Sequence, residues 1–197
     1  MPNQRVQGEI GYHKLSEWWL STFSEAEREH IERSAGPLTE GEIGRTSQTP
    51  TRLLYQAASN FRRVEDLSIA QRLLARAEEM AGSDILDLHY CYMTRILLHY
   101  RHRNAAPTAL NEGIAACEKQ IALAPMAAVA FKEWLPNHPL PAHTGFYQLT
   151  VIRDKQGNYE EAIRLSRLAL EQGWAGDWER RIVRYEKKVL KRGRVKA

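Results

Sequence analysis

Residues 156–174 read QGNYEEAIRLSRLALEQGW. Ala162 and Ala169 are seven residues apart, two helical turns, so they lie on one face of a helix. A small side chain at a helix crossing lets two backbones approach closely, and two of them in line mark a seam. Gly157 supplies the permissive backbone of a turn just before this helix, and Tyr159 can pack back on the helix that precedes it. Gly173-Trp174 closes the stretch. The segment therefore predicts a closely packed helix pair.

Outward from this pair, helical periodicity is nearly continuous and strand signals are nearly absent. Ser24-x-x-Glu27 is a capping box, Gly36 a stop, and Trp18, Trp19, Leu20 and Phe23 cover one end of the core. Residues 36–50, GPLTEGEIGRTSQTP, read as a loop long enough to be mobile or to make a contact. Helices follow at 51–64, with Leu54, Ala57, Ala58 and Phe61 in one stripe, and at 66–81, with Ala70, Leu73, Leu74, Ala77 and Ala81. The next pair is 85–102, apolar on more than one face and hence central, and 107–124, which opens at Pro107 and stops at Pro125. A short helix is predicted over 126–135 and an extended segment at 137–143, NHPLPAH, because Pro139 and Pro141 bar a helix. The last pair is 143–156 and 159–172. A final helix follows Asp177, with Trp178, Ile182, Tyr185 and Val189 on one face and Gly193 as its end.

Phe146, Leu149, Gly157, Tyr159, Ala162 and Ala169 resemble the tetratricopeptide repeat (TPR), a helix–turn–helix unit of about 34 residues. Leu54, Ala57, Ala58, Phe61, Leu67, Ala70 and Ala77 keep the same offsets, without the turn glycine. Residues 85–125 fit least, with a longer turn and with Gly113 and Gln120 at the small-residue positions. The C-terminal stretch also resembles bacterial TPR proteins. The resemblance implies an all-α, TPR-like array of about three antiparallel helix pairs (51–176), an N-terminal helical cap and loop (1–50) and a basic, amphipathic C-terminal capping helix (177–197). It also implies a concave surface lined by the first helix of each pair. Arg52, Tyr55, Ser59, Arg62, Arg63, Tyr147 and Lys155 fall on that surface. Tyr and Arg are enriched at binding hot spots, so the expected function is a scaffold binding a protein or peptide partner, an acidic one suiting the basic groove.

The 197-residue chain is long enough for a substantial core, and its hydrophobic fraction of 43% is that of a globular protein. No apolar run reads as long enough to span a bilayer, and the first residues lack the apolar stretch of a signal peptide. Cys91 and Cys117 read as small core residues, which favours a reduced, cytoplasmic setting. The formal charge of +4 is uneven: residues 180–197 hold nine basic side chains and one acid, so the rest of the chain sums to −4. Arg184, Lys187, Lys188, Lys191 and Arg192 are thus the candidates for nucleic-acid association; the same cations also suit a helix C-terminus.

Catalytic signatures are few: no phosphate loop, no nucleophile elbow, no zinc-protease motif. His99-x-x-His102 shares a helix face but lacks a third metal ligand, so no metal and no cofactor is expected. Arg95 and His102 resemble the arginine–histidine pattern of HEPN-type ribonucleases, with Ile96 in place of the polar residue that often follows the arginine. Glu25, Glu27, Glu29, Glu32, Glu78 and Glu79 read as solvated helix faces, and His138 and His143 as loop residues, with ligand contact by one of them as the alternative.

Overall fold

The computed structural model describes residues 6–195. Among them are ten α-helices and one strand pair, an all-α protein. Three short helices come first: α1 (Gly8–Tyr12), α2 (Ser16–Thr22) and α3 (Glu25–Ala35). The capping box forms at α3, Ser24 N donating to Glu27 Oε2 at 2.9 Å and Glu27 N to Ser24 Oγ at 3.3 Å. Trp19 and Phe23 are buried, whereas Leu20 is 38% exposed. The segment after α3 has no regular structure but is tied to α1: Gly8 N donates to Gly41 O and Ile10 N to Leu38 O.

Three helix pairs follow: α4 (Pro50–Ser59) with α5 (Leu67–Ala81), α6 (Ile85–Arg101) with α7 (Ala109–Trp134), and α8 (Thr144–Lys155) with α9 (Tyr159–Glu171). Thr49, Asp84, His143 and Asn158 cap α4, α6, α8 and α9 with side-chain acceptors. The turn between α8 and α9 uses Gly157 at φ 72°, a left-handed conformation that favours glycine. Helix α10 (Trp178–Val195) packs on α9 and ends the described chain. Ala70, Ala77, Ala162 and Ala169 are each 0% exposed, as their spacing predicts.

Three expectations are corrected, besides the helix expected over 51–64, which ends at Ser59 and is followed by a separate 3₁₀ turn at Val64–Asp66. Helix α7 does not stop at Pro125; it runs unbroken for 26 residues. Pro125 lies on the exposed face, where water can take the Ile121 carbonyl that loses its amide donor, while Ala124, Ala127, Ala128 and Phe131 bury the opposite face. As one helix, α7 is long and apolar enough to cross a bilayer by length and composition, its most apolar 18-residue stretch having a mean hydropathy of 1.4; here it packs against α6 and α8. Second, Gly193 does not end α10, which continues to Val195. Third, a small sheet is present: β1 (Leu140–Ala142) pairs in parallel with β2 (Trp174–Ala175).

Two apolar clusters make up the core. One gathers α1 to α5 with Cys91 and Leu98 of α6; the other gathers α6 to α9, Trp174 and Trp178. Tyr90 of α6 packs against both. Burial pushes the Cys91 and Cys117 thiols up to about 12, so neither is a nucleophile.

Candidate functional site

The first helices of the pairs run side by side in one direction. Thr49, at the start of α4, donates to Asp87 in the first turn of α6, and Tyr55 stacks on Tyr90 at 6.2 Å between centroids. His89 and His143 meet at 5.1 Å near the amino ends of α6 and α8, and Lys155 Nζ donates to Tyr100 Oη at 3.1 Å near their carboxyl ends. Helix α10 continues the row along α8: Phe146 meets Trp178, Arg181 lies over Tyr147, Lys188 pairs with Asp154, and Arg192 donates to Gly157 O. One side of the molecule thus has an amino end and a carboxyl end of differing chemistry.

At the amino end an apolar groove of about 280 Å³ lies between α6, the last turn of α7 and the segment before α8. Tyr90, Phe131, Trp134, Leu135, Pro139, Leu140 and Pro141 line it, with His138 as its one polar side chain besides the Tyr90 hydroxyl and the Trp134 indole N–H. Trp134 is 59% exposed and Leu135 39%, an unusual amount of large apolar surface at one helix end. Phe131 packs edge-on against Tyr90, and its ring is 6.4 Å from that of Trp134. The prolines hold the opposite wall extended, and β1 clasps it to β2. A larger hollow, about 550 Å³ between α1 and residues 41–44, is walled mainly by glycines and loop backbone and offers few anchoring side chains.

Behind the groove sits a buried polar cluster. Gln120 of α7 joins three helices: its Nε2 donates to His89 O at 2.9 Å, and its Oε1 accepts from Gly145 N at 2.6 Å. His143 caps α8 by accepting from Phe146 N at 3.3 Å through Nδ1, and its ring lies 4.6 Å from that of Trp174. His89 stacks on Trp174 at 5.8 Å and meets Phe131 edge-on. His89 Nδ1 and His143 Nε2 are buried without partners. Burial lowers His89 to about 4; burial and then the neighbouring His89 lower His143 to about 3, so both rings are neutral at pH 7.

The residues expected to form one basic, aromatic groove divide between the two ends. Tyr55 is buried at 8% exposure, and its stack on Tyr90 supports the groove wall instead of lining it. Arg52 is exposed one turn from Tyr55. Arg62 and Arg63 are exposed beyond the carboxyl end of α4, Arg63 paired with Glu65. Lys155 lies at the carboxyl end of α8, and Tyr147, half exposed, lies under the Arg181 guanidinium at 4.1 Å. His143, read from the sequence as a loop residue, is a buried cap at 0% exposure. Trp134, Gln120 and His89 went unnoticed as site residues, although Trp134-Leu135 directly before a proline-rich stretch is a legible signal.

The arginine and histidine of the pattern near the end of α6 are engaged or buried by the fold. Arg95 pairs with Glu78 at 3.2 Å, and Glu78 also accepts from Tyr92 Oη and Lys119. Burial works to raise the Glu78 carboxyl, but Lys119, Tyr92 and Arg95 together hold it below the usual carboxylate range. His102 is only 5% exposed and His99 is wholly buried. Among the described residues no group of three or more His, Cys, Asp or Glu side chains is placed to hold a metal. Compared with protein-family models, curated proteins and solved structures, the chain matches none.

Proposed function

We propose that the chain is a TPR-like helical scaffold of the cytoplasm that binds an extended protein or peptide segment, with the groove at Tyr90, Phe131 and Trp134 as its anchor pocket. The observation that carries this reading is the exposed Trp134 and Leu135 facing a proline-braced wall across an apolar groove. Tyr and Trp dominate binding hot spots because they present a large rigid area with a polar tip. The parallel row of α4, α6 and α8 supports the array arrangement, since stacked helix pairs align their first helices along one surface. The occupant suited to the groove is a short stretch with one or two apolar or aromatic side chains, and the exposed Arg52, one turn from the Tyr55 that backs Tyr90, favours an acidic flank.

Selection of a random peptide library on the immobilised protein, followed by calorimetric titration of the selected peptides, tests this. Trp134→Ala removes an exposed ring, so the fold stays intact, and affinity falls at least about 30-fold, the loss of one hot-spot residue. A library that yields no binder overturns the scaffold reading. Binders indifferent to Trp134→Ala overturn the groove.

A further inference from the structure

We propose that the outward face of α10, with the cations at the neighbouring helix ends, binds the phosphate backbone of a nucleic acid. Arg180, Arg184, Lys187 and Lys191 recur at i, i+4, i+7 and i+11, so they form one stripe along α10, about 16 Å long. All four are exposed. The stripe lies opposite the face that carries Trp178, Ile182, Tyr185 and Val189, with Trp178 and Tyr185 buried against the body of the protein. At its carboxyl end it adjoins Arg192, which reaches Gly157 O, and beyond that Lys155, both exposed.

The acids nearby are already engaged. Glu186 pairs with Arg167, Asp154 with Lys188 and Asp177 with Arg181. Glu179, on the first turn, sits about 100° round the helix from the stripe. Among the described residues none of the four stripe cations forms an ion pair. Holding four like charges in a row costs self-repulsion, and a polyanion relieves it. The fold buries Trp178 and Tyr185, and of the described α10 apolar side chains only Val183 and Leu190 stand exposed beside the stripe, too little apolar surface for the helix to lie in a bilayer as a membrane-surface helix does. The ring beside the stripe, Tyr185 under the Arg184 guanidinium, is wholly buried, so the stripe presents no exposed ring to anchor a protein partner. Contacts from Lys and Arg to successive phosphates need neither, and they carry no sequence preference.

Fluorescence anisotropy with two labelled probes of mixed sequence, a DNA duplex of about 20 base pairs and an RNA single strand of about 20 nucleotides, tests this. Engagement of four phosphates gives a log–log salt slope of about −3.6 on the duplex, so affinity falls about 150-fold between about 50 and about 200 mM salt. Lys187→Gln combined with Lys191→Gln flattens that slope by about two units, while Arg33→Gln, a cation on α3 far from the stripe, leaves it unchanged. Binding of either probe with this dependence supports the proposal. Failure of both probes at low salt, binding untouched by the double substitution, or binding to phosphatidylserine vesicles in place of both probes overturns it.

Discussion

The buried pair His89 and His143 makes the protein sensitive to mild acid. Each ring has an ordinary value of 6.5; the fold lowers the first to about 4 and the second to about 3. The folded value is below the unfolded one, so between the two the unfolded chain binds more protons and stability rises with pH. The contribution is complete above 6.5 and is lost as the pH falls from there toward about 4 for His89 and about 3 for His143. Each histidine then removes about 1.4 kcal/mol per pH unit. From pH 7 to pH 5 that is about 2 kcal/mol each and about 4 kcal/mol together, against a total stability on the order of 5–15 kcal/mol. His99, also lowered by burial and then by Arg95, adds in the same direction. The carboxylates with lowered values, such as Glu27 at about 2, act only at lower pH. Urea unfolding followed by tryptophan fluorescence at several pH values between 7 and 5 measures the slope. His143→Asn isolates one half of it: asparagine still accepts from Phe146 N as a helix cap but does not titrate, so the slope drops by about 1.4 kcal/mol per unit. Stability that stays flat over this range, or a slope that His143→Asn leaves alone, refutes the reasoning.

Ala162→Leu inserts three heavy atoms into a seam with 0% exposure and lowers stability by about 1–3 kcal/mol, read as a shift in the denaturation midpoint. Gly145→Ala sets a methyl group 2.9 Å from Gln120 Oε1 and 3.0 Å from Cys117 O, and the backbone oxygen cannot swing aside, so thermal unfolding drops by several degrees. Pro125→Ala restores an amide donor inside α7 without touching its buried face and raises stability by about 1–3 kcal/mol in the same assay.

Much of the fold was legible because its decisive contacts are local in sequence. Ala162 and Ala169, Ala70 and Ala77, the Ser24–Glu27 box and the Gly157 turn each state their role within a few residues. Pro125 misled because a local rule met a tertiary contact: the face opposite the proline is packed, and that packing outweighs one missing hydrogen bond. The strand pair was invisible since three residues and two residues carry no periodicity. His143 could not be read as a core residue, because the rings that bury it, His89 and Trp174, come from distant parts of the chain. Gln120 looked like a misfit at a small-residue position; its polar end is what joins α6, α7 and α8. The groove was missed for the related reason that its two walls, Tyr90 and the proline segment, are about fifty residues apart.

The pairing of Leu140 with Trp174 closes a ring. The chain leaves α7, makes the α8–α9 hairpin and returns to hydrogen-bond to its own point of departure. The hairpin, closed at its base by this pairing and covered along α9 by α10, therefore does not fray a turn at a time. It must open as a block, once the buckle slips, and the exchange of amide protons across Thr144–Glu171 would register one shared opening instead of a gradient toward the tail.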